Sequence, residues 1–317
     1  MVTYIVKRIA QAIPLLVIIS IISFALIQLA PYDAIDSITT PTMSHETIQL
    51  LKHKYGLDQP AYVQYFEWMK GTLSGNFGYS IVTHESISHD LLARIPNTMM
   101  LVIPAYLLAL VIAITLGLIA GANKGRFLDK CIDSFSSIGI AVPTFWLAMV
   151  LIFLFGYRLG WFPILGTHSL GQEHSFVDLV HHLVLPCVTL MFAFLPELIR
   201  YVRSSTMGQL TEDYVLVQEA YGNSKGQILF KHVLRNVMLP IITNIGMTLP
   251  MLVTGAVITE TVFGLAGIGP YFIKAIKGFD YPVVMAIMLL SSSLVIIGNL
   301  FSDILYSIID PRIKEMR

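Results

Sequence analysis

Charged residues are scarce in this chain. Asp, Glu, Lys and Arg make up 13% of its 317 residues, whereas hydrophobic residues make up 55%, and the mean hydropathy is +0.72. This composition excludes an ordinary soluble globular domain, in which about a quarter of the residues are charged. A chain of this length could hold about six spans of roughly 20 residues, the length that crosses ~30 Å of hydrocarbon. The composition therefore predicts an integral membrane protein with no room for a large soluble enzyme domain.

Motifs for catalysis, nucleotide binding and metal binding are missing as well. The chain contains no GxxxxGK(S/T) loop, no GxSxG or HExxH motif and no CxxC pair. Its two cysteines are too few for a disulfide framework. Four histidines fall within 168–182, but their spacing is irregular, and no cysteine or carboxylate cluster completes a metal shell. We therefore expect no catalytic residue, no metal site and no cofactor in this chain, and any ATP hydrolysis would belong to another chain.

Six apolar runs predict an all-α fold with six transmembrane helices. The first run is long for the apolar region of a signal peptide and lacks a small-residue cleavage site, so we interpret it as a retained span. The predicted domains are an N-terminal transmembrane helix (1–32), an extracytoplasmic segment (33–95) and a five-helix core (96–317). The runs themselves are 9–30, 98–120, 134–157, 183–196, 237–259 and 283–302.

The distribution of basic residues predicts the orientation in the membrane. Thirteen of the 20 Lys and Arg residues lie in the N-terminus, the turn 121–131, the segment 200–236 and the C-terminal tail. Because loops rich in Lys and Arg stay in the cytoplasm, these parts are expected on the cytoplasmic side. Both termini would then be cytoplasmic, and 33–95 would lie outside the cell membrane.

Polar side chains occur within the last two apolar runs, where unpaired polar groups are costly in lipid. Asn244, Thr248, Ser291 and Asn299 are candidates for lining a transport pathway. Hydrogen bonding between helices is the alternative explanation for the same residues.

A second group of polar residues follows the fourth apolar run. Glu197, Arg200 and Arg203 are three residues apart, which places them on one face of a helix. We expect an ion pair among them at the membrane edge.

A charged, glycine-punctuated segment, 213–240, lies between two of the apolar runs. Its sequence DYVLVQEAYGNSKGQILFKHVLRNVMLP predicts a helix, a turn at Gly222 and a second helix that leads into a span. A basic helix lying on anionic lipid would suit its Lys and Arg residues. A membrane protein that exposes such a segment to the cytosol usually contacts a soluble partner there.

Other short motifs occur in one order along essentially the whole chain. They are YGLDQP (55–60), GNFGYS (75–80), RIPNT (94–98), VPTFWLAMVLIF (142–153), RLGWFP (158–163), DYV (213–215), KHVLRN (231–236), ETVFGLAGIG (260–269), DYPVV (280–284) and DPRIK (310–314). With EAYG (219–222) and LP (239–240), they make the chain resemble the permease subunits of binding-protein-dependent ABC importers of the dipeptide, oligopeptide and nickel branch. Within that branch it is similar to the first, or B-type, permease of the pair.

The resemblance implies a type I importer fold and a set of partners. In this family a second, homologous permease pairs with the first, two cytoplasmic ATPases bind beneath them, and an extracellular or periplasmic solute-binding protein delivers the cargo. ATP and Mg²⁺ are used by the ATPases, so the permease is not itself an enzyme. The expected location is the cytoplasmic membrane of a prokaryote, in contact with lipid and with no nucleic acid partner.

The resemblance also implies a coupling site and a cargo class. The segment 203–238 would contain a short helix that fits into a groove of the ATPase, formed by Tyr214, Val215, Glu219, Ala220, Tyr221 and Gly222. Dipeptides or oligopeptides are the expected cargo, and nickel or a metal chelate is the alternative within the same family. A secondary transporter is the alternative from a different class, but the chain shows no internal repeat and no intramembrane carboxylate site.

Overall fold

The chain folds almost entirely into helices. The computed structural model describes residues 2–29, 35, 43–238, 241 and 256–309, and within these residues the only β pairing is an isolated bridge between Tyr79 and Ser86. Two segments, π1 (Ile152–Arg158) and π2 (Ile228–Val233), are π-helical. The α-helices are α1 (Val2–Gln28), α2 (His45–Lys54), α3 (Ala61–Leu73), α4 (Ile87–Ala122), α5 (Phe127–Ala141), α6 (Thr144–Leu151), α7 (Phe176–Gln209), α8 (Asp213–Ala220), α9 (Lys225–Gln227), α10 (Val257–Val262), α11 (Ile268–Lys277) and α12 (Tyr281–Ile309).

Three helices of the described residues are long and apolar enough to cross a membrane: α4, α7 and the Tyr281–Ser302 part of α12. They contain the predicted runs 98–120, 183–196 and 283–302. The helix α4 begins eleven residues before its apolar run, so the end of the segment 33–95 is continuous with the span. In α1 the apolar stretch is shorter, Ile13–Leu26, and most of the predicted run 237–259 lies outside the described residues.

The predicted third span, 134–157, is not one straight helix. It is divided between α5 and the continuous pair α6–π1, which are bent by 98°. The break lies at Val142, whose backbone is extended (φ −79°, ψ 118°), and Pro143 follows it. Proline disfavours helical geometry in the residue before it, and it offers no N–H to the helix, which explains the break.

The described residues divide into two compact units, the first of which comprises residues up to Thr98 together with Ala266–Leu300. Its core joins α4 (Ile87, Leu91) to α11 (Ile268, Tyr271) and α12. The motifs RIPNT and ETVFGLAGIG meet here, because the Ile268 N–H donates to Thr98 Oγ1 at 3.0 Å. The buried Thr98 hydroxyl and the buried Ile268 amide are thus satisfied by a contact between distant motifs.

Asp280 binds the loop that contains Ser80 and Ile81, which also belongs to the first unit. Its carboxylate is 3% exposed and accepts hydrogen bonds from the Ser80 hydroxyl and from the Ile81 N–H, the latter at 3.2 Å. A buried carboxylate needs such donors, since its desolvation would otherwise cost several kcal/mol, on the order of the penalty for one buried ion. The motifs GNFGYS and DYPVV therefore contact each other through Asp280.

The second unit contains the described residues from Met99 to 241, with Ile258–Leu265 and the end of α12. Helices α4 and α7 approach closely within it. A Cβ on Gly117 would lie 2.5 Å from Val202 Cβ, and one on Gly121 would lie 2.6 Å from Thr206 Cβ. The absence of a side chain at both glycines permits this backbone contact. The buried core around this contact contains Leu118 of α4 and Val202 of α7, together with buried residues of the segment that follows α7.

Candidate functional site

The segment 213–240 has the predicted layout of helix, glycine turn and second helix as far as the structure describes it. Helix α7 ends at Gln209, α8 follows from Asp213 to Ala220, and the chain turns at Tyr221 and Gly222 before α9, π2 and a helical stretch to residue 238. This layout is confirmed. The segment is called the coupling segment below (residues 213–238).

Local sequence chemistry explains why this segment folds as it does. Asp213 occupies the first turn of α8, where a carboxylate interacts favourably with the positive end of the helix dipole. Gly222 has φ +77°, the left-handed conformation that a helix-ending turn requires and that glycine adopts without steric cost. Ser224 then starts α9 with a capping box, in which its side chain accepts from the Gln227 N–H and Gln227 Oε1 accepts from the Ser224 N–H.

One side of α8 faces the protein. Val215 is 5% exposed and belongs to the core cluster that contains Ile228 and Val233 from π2 and Val202 from α7. Tyr214 is half-buried, and its hydroxyl donates to Gln209 Oε1 at 3.0 Å. Burial raises the pKa of the Tyr214 phenol above its ordinary value, so this hydroxyl stays protonated at physiological pH.

The other side of α8 faces away from the protein. Tyr221 is 81% exposed, Leu216 is 64% exposed and Val217 is 50% exposed, and Ala220 lies between them on the same side. Glu219 and Gly222 are exposed at the end of the helix. In the part of the chain that the structure describes, these apolar side chains thus form an exposed surface and not a packed face.

The structure therefore separates the predicted coupling residues into two groups. Glu219, Ala220, Tyr221 and Gly222 lie at the exposed end of α8, whereas Val215 is an internal anchor and Tyr214 is intermediate. Sequence reasoning missed Leu216 and Val217. Helical spacing places them away from the core only once Val215 is known to be buried, because residues one and two positions after a buried residue point away from the core in a helix with 3.6 residues per turn.

An ion pair joins α7 to α5 shortly before the coupling segment. The Arg203 Nε donates to Asp129 Oδ1, Arg203 Nη2 donates to Asp129 Oδ2 at 3.0 Å, and the Gly125 N–H donates to the same Oδ2 at 2.8 Å. The Asp129 side chain is 3% exposed. We expected an ion pair among Glu197, Arg200 and Arg203, but the carboxylate partners of Arg203 are Asp129 and, at 3.8 Å, Asp133 of α5.

The candidate pathway residues are only partly covered. Asn244 and Thr248 lie outside the described residues. Ser291 is half-buried and Asn299 is exposed, and both lie on α12. Their assignment to a pathway stays a prediction.

Two of the four histidines between 168 and 182 make local hydrogen bonds. His181 Nε2 donates to the Trp161 carbonyl at 2.6 Å, and His182 Nδ1 donates to the Asp178 carbonyl at 2.9 Å. The Asp178 carboxylate in turn accepts from the Ser169 N–H at 2.7 Å. In the part of the chain that the structure describes, no group of three or more His, Cys, Asp or Glu side chains could hold a metal ion.

Comparison with known proteins gives the class. A family profile described as "Binding-protein-dependent transport system inner membrane component" matches residues 113–315, and the profile of the family's N-terminal part matches residues 1–102. The chain belongs to this family of inner-membrane transport components. It is thus an all-α integral membrane protein of the permease class, as its helices and composition indicate.

Named relatives resemble the chain over nearly its full length. It is 39% identical to the "Oligopeptide transport system permease protein AppB" of Bacillus subtilis (strain 168), over 99% of this chain and 100% of that protein. It is 35% identical to the "Di/tripeptide transport system permease protein DppB" of Pseudomonas aeruginosa (strain UCBPP-PA14), over 100% of both chains. It is also 34% identical to the "Probable peptide ABC transporter permease protein y4tP" of Sinorhizobium fredii (strain NBRC 101917 / NGR234), over 98% of this chain and 99% of that one.

Proposed function

We propose that this chain is the first permease subunit of an ATP-driven importer that moves oligopeptides or dipeptides across the cytoplasmic membrane by alternating access. The observation that carries this proposal is its similarity, over 98–100% of its length, to permeases whose names specify peptides. His181 and His182 donate to nearby backbone carbonyls, and within the described residues no group of three His, Cys, Asp or Glu side chains could hold a metal ion, so no structural observation favours nickel.

The proposed topology has six spans with both termini in the cytoplasm. It comprises the N-terminal span (1–32), the extracytoplasmic segment (33–95) and the five-helix core (96–317). Support comes from the three membrane-length helices, from the bent pair of α5 and α6–π1 as a broken fourth span, and from the apolar stretch of α1. The excess of Lys and Arg near the coupling segment supports a location of that segment on the cytoplasmic side of the membrane.

The proposed contact with the ATPase is the exposed side of α8. Leu216, Val217, Ala220 and Tyr221 would enter an apolar groove, and Glu219 would offer a charged group at its rim. The complete assembly would contain two ATPases, a second homologous permease and an extracellular or periplasmic solute-binding protein, all in a lipid bilayer. ATP and Mg²⁺ would bind to the ATPases and not to this chain.

Anchoring of α8 explains how movement of the ATPases could reach the spans. Val215 packs into the same cluster as Val202 of α7 and Leu118 of α4. A displacement of α8 would thus be transmitted to two membrane-length helices, because closely packed interiors move as rigid elements. ATP binding would favour one of the two access states and hydrolysis would release it. Ser291, Asn299, Asn244 and Thr248 remain the proposed pathway residues.

Reconstitution tests this function directly. The chain would be purified with its companion permease and ATPases, placed in proteoliposomes with the solute-binding protein, and assayed for uptake of labelled dipeptides, oligopeptides and nickel chelates. We expect peptide uptake with ATP and none with ADP, together with peptide-stimulated ATP hydrolysis. Uptake of nickel in place of peptides would support the alternative cargo, and uptake without the ATPases would indicate a secondary transporter.

A further inference from the structure

Helix α3, which follows α1 by some thirty residues, packs against the C-terminal half of that helix. The Ser20 hydroxyl lies 2.8 Å from the Tyr65 hydroxyl, and Gln28 Nε2 donates to Gln64 Oε1 at 2.9 Å. Between these two contacts, the Phe24 ring lies 5.5 Å from the Tyr65 ring in an edge-on arrangement. The three contacts on α1 are four residues apart, so they form one stripe along that helix.

These contacts lie inside the apolar part of α1 and not beyond its end. At 1.5 Å of rise per residue, Phe24 is about 6 Å and Ser20 about 12 Å before Gln28 along the helix. Ser20 belongs to the apolar stretch Ile13–Leu26 and is 1% exposed. In a membrane-spanning α1, α3 would therefore cross at the depth of the boundary between headgroups and acyl chains, about 5–10 Å into the interface.

The rest of α3 is divided into two exposed flanks. Tyr62 and Phe66 are each 67% exposed and Leu73 is 82% exposed, and their helical spacing places them on one flank. Glu67 is exposed about a third of a turn around the helix from them, and exposed Lys70 lies at the boundary, one turn after Phe66. A helix with an aromatic and aliphatic flank beside a charged flank, and with a lysine at the boundary whose long side chain can reach water, is typical of helices that lie in the plane of a membrane surface.

Exposed apolar residues cover the side of α1 that faces away from α3. Ile18, Ile22 and Leu26 are each more than half exposed, and each lies two residues, about 200° of helix rotation, from a residue that contacts α3. In an inner-membrane component, such a row on an apolar helix faces hydrocarbon. The depth of the contact with α3 and this row beside it both indicate lipid as the occupant.

We propose that α3 is an interfacial helix whose flank of Tyr62, Phe66 and Leu73 inserts into the bilayer, while Glu67 and Lys70 remain in water. Tyrosine suits this boundary, because its ring is apolar and its hydroxyl can bind water or headgroups. The proposal depends on the membrane location of the family and not on the cargo or on the ATPase contact. It assigns this part of the segment 33–95 to the membrane surface and not to the aqueous docking surface for a solute-binding protein.

Spin labels can measure where each flank lies. In a background in which Cys131 and Cys187 are replaced by serine, Phe66→Cys and Tyr62→Cys each receive a nitroxide, with the complete transporter in liposomes. Glu67→Cys and Ser74→Cys are the matched controls, since exposed Ser74 ends α3 seven residues after Glu67 and therefore lies on the same flank. Collision of each label with oxygen, which concentrates in lipid, is compared with collision with a water-soluble nickel chelate.

The order of the two collision rates decides the result. We expect oxygen to exceed the chelate at positions 62 and 66, and the chelate to exceed oxygen at positions 67 and 74. Two positions per flank keep the test valid if one labelled variant does not assemble. Higher chelate access at 62 and 66 would overturn the proposal in favour of an aqueous surface, and protection from both reagents would overturn it in favour of a protein partner such as the companion permease.

Discussion

At the scale of single residues, Asp129 connects three segments of the chain. Its carboxylate is in the first turn of α5, it accepts from the backbone of the turn at Gly125, and it pairs with Arg203 of α7. Burial of a charge is tolerated only with such partners, and removal of one partner leaves the other uncompensated. The stability of this junction therefore depends on the pair and not on Asp129 alone.

Asp129→Asn is expected to destabilise the protein. The loss should be about 2 kcal/mol, less than the ~3–5 kcal/mol for a fully buried pair, because Arg203 keeps partial contact with water. Thermal unfolding in detergent measures the effect as a lower Tm. Asp133→Asn is the matched control, since Asp133 is 47% exposed and its oxygen is 3.8 Å from Arg203. Equal losses in the two variants would contradict the assignment of Asp129 as the principal partner.

A second prediction concerns the exposed pair of His53 and Asp58. His53 Nδ1 lies 2.7 Å from Asp58 Oδ2, and this hydrogen bond raises the pKa of His53 above its ordinary value and lowers the pKa of Asp58. The raised pKa means that the charged interaction is present at low pH and is lost as the pH rises through the His53 pKa in the folded protein. Asp58→Asn should return the His53 pKa toward its ordinary value.

NMR titration of the histidine ring resonances provides the measurement for this pair. Glu46→Gln, which replaces an acidic residue elsewhere in the same segment with a neutral one, should leave the His53 titration unchanged. A His53 titration that does not respond to Asp58→Asn would show that the hydrogen bond is absent in the membrane-bound protein.

At the scale of elements, the close approach of α4 and α7 makes Gly121 sensitive to substitution. A methyl group there would meet Thr206 Cβ at 2.6 Å and the Arg203 carbonyl at 3.0 Å. Gly121→Ala should therefore force the helices apart and cost about 1–3 kcal/mol, the usual penalty for overpacking. The free energy of unfolding in detergent, from a denaturant titration, measures this cost.

Gly208→Ala in α7 is the matched control, because no atom lies within 4 Å of a Cβ at that position. Alanine has the higher helix propensity, so this variant should be equal to the parent or more stable by up to ~1 kcal/mol. A destabilisation at Gly208 as large as that at Gly121 would contradict the packing argument.

The sequence predicted the elements better than their connections. Apolar runs located the cores of α4, α7 and α12, because hydrophobic length is a strong local signal. Pro143, Pro186 and Pro196 look alike in the sequence, yet the helix breaks at Pro143 while α7 continues through the other two. The ion pair between Arg203 and Asp129 joins residues 74 positions apart, whereas local spacing grouped Arg203 with Glu197 and Arg200. Spacing along one helix cannot reveal which side chains a neighbouring helix brings to it.

For the coupling segment, the sequence indicated the helix and the turn but not the orientation of the helix. Gly222 and the residues after it marked the turn through ordinary capping chemistry. Which side of α8 is buried depends on Val215, and its burial depends on Ile228, Val233 and Val202. These partners come from other elements, so they could be identified only in the folded chain.

At the scale of the whole molecule, variants of Val215 and Val217 can distinguish internal anchoring of α8 from its proposed docking to the ATPase. The two residues have the same side chain on the same helix, but Val215 is buried and Val217 is half exposed. Val215→Ala should lower the Tm, by a loss on the order of 1–3 kcal/mol, and leave the free docking surface unaltered. Val217→Ala should leave the Tm unchanged and weaken binding of the ATPases.

Thermal unfolding and co-purification of ATPases with the tagged permease test this pair of variants. Each valine serves as the control for the other. If Val217→Ala lowers the Tm and leaves ATPase recovery unchanged, the assignment of the exposed side of α8 as the docking surface fails.

The length of α8 has a consequence for assembly. Eight residues are too few for a helix that is stable by itself in water, where about 12–15 residues are marginal. The helix therefore depends on the folded chain around it, and its outer surface does not exist on a newly made polypeptide whose spans have not yet packed. In the proposed complex, an ATPase could recognise only a permease that has finished folding, so the short helix would also act as a checkpoint for the order of assembly.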